Sequence, residues 1–456
     1  MFHGHDIIKN MKTIATISTP LGNGAIGIIR MSGDKSLEIA SKLFSTKKLN
    51  SFKEAKPNYM YYGTLSTDTI NDTILAVYFK APVSYTGEDI VEFQCHGGVR
   101  ILEEILKGCL KYGAVTADKG EFTKRAFLNG KISLSDAEGI IDMINAESIA
   151  AINVSYRLAK GNLSETLNNI QSKILDCVSQ LEASLDYPDE MEDESKINCK
   201  EVLNENIDSL KVLLNTENVG GYIKKGINVA IVGQANVGKS SLLNGLLGKQ
   251  RAIVTDIAGT TRDSIEESIE VNGILLNLID TAGIRETKDI VESLGVERSL
   301  EAAKSADVVI FISECGRDYN KEELSIKEKL EKDNKKVVYV FNKNDLNKPT
   351  KNQEKEITIS AKNNIGIDEL KTKIVNMFIT ENIDSSSSII TNQRHLDAIK
   401  EAVESIENVL NTIDNEPVEC VLIDLRKAYF ALGEVTGNCA SEDIIDKIFS
   451  KFCLGK

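Results

Sequence analysis

The sequence of 456 residues lacks any apolar run of the roughly 18 to 20 residues that would span a bilayer. Its first ten residues, with Asp6 and two histidines, lack the basic start and apolar centre of a signal peptide. No membrane is called for, and the expected compartment is the cytoplasm. Residues 1–10 read as a leader ahead of Met11 and are given no function. Cysteine occurs eight times, but with no CxxC pair and no grouping with the four histidines, which argues against a zinc site or a disulfide framework and for reduced thiols. An excess of positive charge is lacking too. A net charge of -14 opposes broad electrostatic attachment to nucleic acid, so any RNA contact has to be local or delivered by a partner.

What is there is a chain 42% hydrophobic and 27% charged, too long for one ordinary core and suited to two or three domains. Residues 11–131 mix short strands, over 26–31, 74–79 and 90–93, with helices and Gly-rich turns, an α+β pattern. Residues 132–225 turn helical. There Leu163, Leu167, Ile170, Ile174, Val178, Leu181 and Leu185 recur at the spacing of one helix face, and the acidic run 186–194, holding Pro188, is expected to break that helix as a solvated loop. Over 226–380, apolar strands at 229–232, 275–279, 308–312, 337–341 and 357–359 alternate with helices, which predicts a mostly parallel sheet covered on both faces. Residues 381–456 begin with a Ser-rich link and return to helix, with Leu396, Ile399, Val403, Ile406, Leu410 and Ile413 on one face. The economical architecture is an N-terminal α+β domain followed by a helical domain into which an α/β domain is inserted.

The chemistry starts after the strand at 229–232, with Gly233-Gln234-Ala235-Asn236-Val237-Gly238-Lys239-Ser240 and a helical run from Ser241. This is a phosphate-binding loop in its strand-to-helix context: backbone N–H groups and the helix terminus face phosphate oxygens, Lys239 reaches the β- and γ-phosphates, and Ser240 ligates Mg²⁺. Asn342-Lys343-Asn344-Asp345, at the end of the strand over 337–341, selects guanine. The Asp345 carboxylate accepts from the N1–H and 2-amino groups that adenine lacks, while Asn342 either binds N7 or ties the loops together. Ser360-Ala361-Lys362, at the end of the next strand, matches the last guanine-loop element of GTPases. Asp280-Thr281-Ala282-Gly283 supplies an acid that holds Mg²⁺ through water and an N–H for the γ-phosphate, and Thr261 in the polar loop 255–263 is the second Mg²⁺ ligand. Ile284 follows where small GTPases carry a water-orienting glutamine, so hydrolysis needs another cation and another residue for the water.

These residues, with Gly259-Thr260-Thr261-Arg262-Asp263, resemble bacterial GTPases activated by K⁺ and by pairing of their G domains. Ser84-Tyr85-Thr86-Gly87-Glu88-Asp89, His96-Gly97-Gly98, Gly120-Glu121-Phe122-Thr123, Arg125-Ala126-Phe127-Leu128-Asn129-Gly130-Lys131 and the terminal Phe452-Cys453-Leu454-Gly455-Lys456 narrow this: the chain resembles the MnmE (TrmE) family of tRNA-modification GTPases from about residue 13 to its end.

The resemblance implies a homodimer that joins the FAD protein MnmG in a heterotetramer and adds an aminomethyl or carboxymethylaminomethyl group to the tRNA wobble uridine. It implies 5-formyl- or methylene-tetrahydrofolate as one-carbon donor, met by Arg30, Glu92, Lys131 and Lys456, and K⁺ held by Asn236, Thr255, Ile257 and Thr260. Glu292 matches the family's water-positioning glutamate, although without the resemblance it reads as a solvated helix carboxylate, and Cys453 is given a role in one-carbon transfer only as a hypothesis. A ribosome-assembly or signalling GTPase shares the G domain but is expected to bring a basic RNA-binding module. A P-loop kinase has no use for Asp345 or the loop 255–263.

Overall fold

The computed structural model describes residues 11–248, 265–279, 292–353, 356–379 and 388–456. They fall into two compact units, the first drawn from within 1–141, 157–208 and 397–456 and the second from within 142–156 and 209–396.

The first unit opens on a seven-stranded sheet in the order β3-β4-β5-β6-β2-β1-β7, built from β1 (Ile14–Ile17), β2 (Ile26–Ser32), β3 (Phe44–Ser45), β4 (Met60–Ser66), β5 (Asn71–Phe79), β6 (Ile90–His96) and β7 (Val115–Thr116). Every pairing is antiparallel except β1 with β7. Period-two alternation sorts the strand residues. Ile29, Met31, Val91, Phe93 and Cys95 join one core with Ile39 and Leu43 of α1 (Ser36–Leu43) and with Leu102, Ile105 and Cys109 of α2 (Val99–Lys111). Arg30 and Glu92, in register on β2 and β6, therefore fall on the face away from those helices.

Helices complete this unit. α3 (Glu121–Leu128) and α4 (Leu134–Ile144) precede α5 (Ile149–Ala159), most of which belongs to the second unit, and α6 (Asn162–Asp186), where Leu163, Leu167, Ile170, Ile174, Val178 and Leu181 are buried as their spacing predicts while Leu185, in the last turn, is exposed. Each such side chain stabilises the fold by roughly 2 kcal/mol. The stripe finds its partner in α14 (Val418–Thr436). Gln171 donates to Tyr429 O at 3.0 Å, and a Cβ on Gly433 would come within 2.6 Å of that same amide, so the two flanking helical segments of the sequence do pack together.

The expected acidic loop is corrected: α6 ends at Asp186, and α7 (Pro188–Leu214) starts two residues later. Proline suits a first helical turn, where its missing N–H has no intrahelical acceptor, and Glu192 then pairs with Lys196 one turn on at 2.7 Å. Pro188 thus starts a helix rather than a loop. α13 (Gln393–Thr412) and α15 (Glu442–Phe449) lie in the second helical stretch of the sequence.

In the second unit a six-stranded sheet runs β13-β12-β11-β8-β10-β9, with β8 (Ile227–Val232), β9 (Ile265–Val271), β10 (Ile274–Ile279), β11 (Val308–Glu314), β12 (Lys336–Asn342) and β13 (Ile357–Thr358). All pairs are parallel except β9 with β10. Alternate residues serve the two faces: Val229, Ile231, Val308, Ile310 and Ile312 face one core, and Ala230, Val232, Val309 and Phe311 the other. The first face meets α9 (Lys239–Leu247) and α12 (Ile367–Asn376), and also Ile223 of α8 (Glu217–Lys225). The second meets α10 (Glu292–Ser305) and α11 (Lys321–Lys332). Among the described residues no helix is long and apolar enough to cross a membrane.

Candidate functional site

The carboxyl ends of β8, β12 and β13 lie together because their strands are parallel, and the loops leaving them meet there. At Gly233 an added Cβ would lie 2.4 Å from Ile312 O, so the chain leaves β8 through a gap only glycine fits. Gly238, at φ +101°, precedes the first residue of α9. A Cβ there would lie 2.2 Å from Asn342 Nδ2. Lys239 donates its Nζ to Gly233 O and Gln234 O, both at 2.7 Å, which draws the loop around its own ammonium. Val237 is buried, Ser240 is half-buried, and Asn236 and Ser241 are exposed, Asn236 in the left-handed region at φ +62°. As a hard oxygen donor on the first turn of α9, the Ser240 hydroxyl fits a Mg²⁺ ion.

Asn342, 3% exposed, makes the loop-tying contacts that were one of the two roles offered for it. Its Nδ2 donates to Val237 O at 2.8 Å and its Oδ1 accepts from Ala361 N at 2.9 Å, so it ties the phosphate loop to the last base-loop element. Asp345 is exposed and accepts from the buried Ser360 hydroxyl at 2.6 Å, which orients its carboxylate; Lys362 is exposed on the same loop. Lys343, at φ +68°, pairs with Glu314 at 3.1 Å. Thr255, Ile257, Thr260, Thr261, Asp280, Gly283 and Ile284 lie outside the described residues, as does the side chain of Glu292, whose backbone opens α10.

A second polar site lies in the first unit. Arg30 Nε bonds Glu92 Oε1 at 2.7 Å, Arg30 Nη1 donates to Gly455 O at 3.2 Å, and the guanidinium stands 5.6 Å from the centre of the Phe122 ring. Burial, and then the nearby Arg30 charge, push the Lys456 ammonium below its ordinary pKa. The tail bends at Gly455, φ +96°, where a Cβ would lie 2.7 Å from Ser18 Cα. Arg30, Glu92 and the tail are thus brought together, whereas Lys131 is exposed and donates to Pro82 O at 3.0 Å.

Sequence reasoning missed Thr16, in register with Arg30 across β1 and β2, and Ser18. The hydroxyls of both are buried and without a hydrogen-bond partner. Nothing in their spacing marks them. Other residues of the quoted segments turn out to be scaffold: Arg125, 3% exposed, binds Glu88 at 3.0 Å, Glu121 at 2.7 Å and Lys12 O at 2.9 Å. Cys453 is exposed, and its carbonyl accepts from Gly120 N at 3.4 Å.

A family model described as GTP-binding protein TrmE N-terminus matches residues 13–131, and one described as MnmE helical domain matches residues 134–453. The chain is 42% identical over 459 residues, 99% of this chain and 100% of the relative, to the tRNA modification GTPase MnmE of Streptococcus pneumoniae (strain Hungary19A-6). The chain belongs to the MnmE family of tRNA modification GTPases. A second MnmE, from Streptococcus pneumoniae serotype 4, is 41% identical with the same coverage. Among solved structures, a variant of Aquifex aeolicus Era bound to GDP.AlF4- is 30% identical over 39% of this chain and 66% of that chain, with a TM-score of 0.27. As a member of the MnmE family the chain is a GTP hydrolase.

Proposed function

We propose that this chain is a K⁺-stimulated GTPase of the cytoplasm that acts as a homodimer in a heterotetramer with the FAD protein MnmG. Together they would add an aminomethyl or carboxymethylaminomethyl group to C5 of the wobble uridine of certain tRNAs. The observation that carries this reading is the end-to-end identity of 42% with a tRNA modification GTPase, in a chain whose Gly455 carbonyl accepts from Arg30. A net charge of -14 favours tRNA reaching the enzyme through the complex rather than by broad attachment to this chain.

Lys239 would neutralise the β- and γ-phosphates, Ser240 and Thr261 would hold Mg²⁺, and Asp345, steadied by Ser360, would select guanine. Asn236, Thr255, Ile257 and Thr260 would hold K⁺, whose charge offsets the one developing on the γ-phosphate. Glu292 would orient the attacking water in place of a residue at 284. In the first unit Glu92 would accept from the amidine-like edge of a pterin, and Arg30, Lys131 and Lys456 would meet the polar ring or a glutamyl carboxylate. Bound there, 5-formyl- or methylene-tetrahydrofolate would supply the one-carbon unit.

Analysis of wobble nucleosides in tRNA from a strain lacking this chain tests the reading: loss of the C5 substituent is expected, and unchanged nucleosides would return the chain to the ribosome-assembly or signalling class. GTP turnover is expected to be much faster in KCl than in NaCl, and equal rates would remove K⁺ from the scheme.

A further inference from the structure

A continuous run of polar side chains, its middle members outside the nucleotide motifs, joins the phosphate loop to the guanine loop. Gln234, in the phosphate loop, exchanges hydrogen bonds with Asn320: Gln234 Nε2 donates to Asn320 Oδ1 at 3.0 Å, and Asn320 Nδ2 donates to Gln234 Oε1 at 2.6 Å. Asn320 caps α11 in a reciprocal pair with Glu323, each side chain accepting the other's backbone N–H at 2.9 Å. The fully buried Glu323 carboxylate then takes the Arg317 fork at 2.7 and 2.9 Å. Arg317 Nε lies 3.5 Å from Glu314 Oε2, and Glu314 Oε1 pairs with Lys343 Nζ at 3.1 Å.

Lys343 is where this run meets the base loop. It holds φ +68°, a conformation that costs a non-glycine residue roughly 1 kcal/mol. Its carbonyl accepts from Leu346 N at 3.0 Å and Asn347 N at 3.3 Å, so the turn carrying Asp345 hangs from this residue. We propose that Glu314 is a positioning residue for the nucleotide base: by fixing Lys343 it fixes the turn that aims Asp345, and Arg317 in turn fixes Glu314. This rests on the reading of Asp345 as the guanine acceptor. Glu314 and Arg317 bind Lys343 and Glu323 rather than Lys239, so the effect falls on GDP and GTP alike. Because the Glu314 and Lys343 side chains are 31% and 30% exposed, it is smaller than that of a buried pair.

Dissociation constants for GDP and GTP, measured by equilibrium titration of the full chain, test this. Glu314→Gln should raise both by about fivefold, leave the turnover rate at saturating GTP unchanged, and leave the melting temperature of the nucleotide-free protein unchanged. Glu314→Asp should recover part of the loss. In a Lys343→Met background, Glu314→Gln should add nothing, a result that a purely structural role would not produce. Arg317→Gln should weaken both nucleotides in the same direction, and it serves as the test if Glu314→Gln fails to fold. Affinities within twofold of the parent, a loss confined to GTP, or additive effects with Lys343→Met would overturn the proposal. Asp345→Asn is the separate control, since an amide matches the O2 of xanthine where the carboxylate matches guanine's amino group. If it leaves GDP affinity intact, the guanine reading falls; if it shifts preference to xanthine while Glu314→Gln is silent, only the positioning role falls.

Discussion

The two sites of this chain are built in opposite ways. In the second unit the phosphate and base loops leave the ends of parallel strands, and most contacts that shape them end on backbone atoms: Lys239 on two carbonyls, Asn342 on Val237 O and Ala361 N. In the first unit the site is made of side chains that alternate on antiparallel strands, Arg30 beside Glu92, and is closed by a tail 425 residues away in sequence from Arg30. A site made by loop backbone needs several consecutive residues of fixed type. One made by strand side chains needs single residues set far apart.

The largest expected break between the sites comes from Lys239→Ala. It removes the cation that draws the phosphate loop together and would meet the transferred phosphate, so GTP turnover, measured as phosphate release, should fall by at least about a hundredfold. Binding of 5-formyltetrahydrofolate, followed by calorimetry, should not change. A parallel loss of both would show that the sites are not independent. The reverse experiment is Arg30→Ala, which removes the partner of Glu92, the donor to Gly455 O and the cation over Phe122. Affinity for 5-formyltetrahydrofolate should fall by about tenfold or more while basal GTP turnover holds. Arg30→Lys should rescue little, because an ammonium cannot serve both Glu92 and the tail from one planar fork. Full rescue would reduce Arg30 to a point charge.

That difference in construction also governs what could be read in advance. The alternation of strands and helices over 226–380, the Gly233 to Ser240 loop and the Asn342 to Asp345 loop are all strings, and β8, β11, β12, α6 and α13 appear where the apolar periodicity placed them. β9 went unread. Its Ile269 and Val271 alternate with Glu270, but a seven-residue run with three glutamates resembles a solvated helix face as much as an edge strand. Pro188 misled because a proline ends one helix and begins the next with equal ease. In the first unit Arg30 and Glu92 were named only through the resemblance, since no spacing rule brings residue 30 to residue 455. Glu323 was readable, as the fourth residue of an Asn-x-x-Glu capping pattern, yet its larger part, as the buried anchor of Arg317, depends on the turn at 314–317 that only the fold supplies.

Glu323 carries the smallest expected effect and the one that most sharpens the contrast between the units. Burial alone would push its carboxyl up; the Arg317 guanidinium, the Asn320 N–H and the Ser313 hydroxyl together outweigh that and hold it below its ordinary value of 4.5. A carboxylate depressed on folding contributes stability that is fully present above the unfolded value and is lost as pH falls through the lower folded one. Glu323→Gln keeps the shape but gives up the charge, so at pH 7 it should destabilise the second unit by ~1 kcal/mol, read as a lower urea midpoint. Below pH 4.5 the gap between parent and variant should narrow, because the parent is then losing what the variant never had. If the two midpoints stay parallel from pH 7 to the acid limb, the buried carboxylate is not the acid-sensitive element of this unit and its stability rests on the apolar contacts of α11, chiefly Ile326 and Leu330.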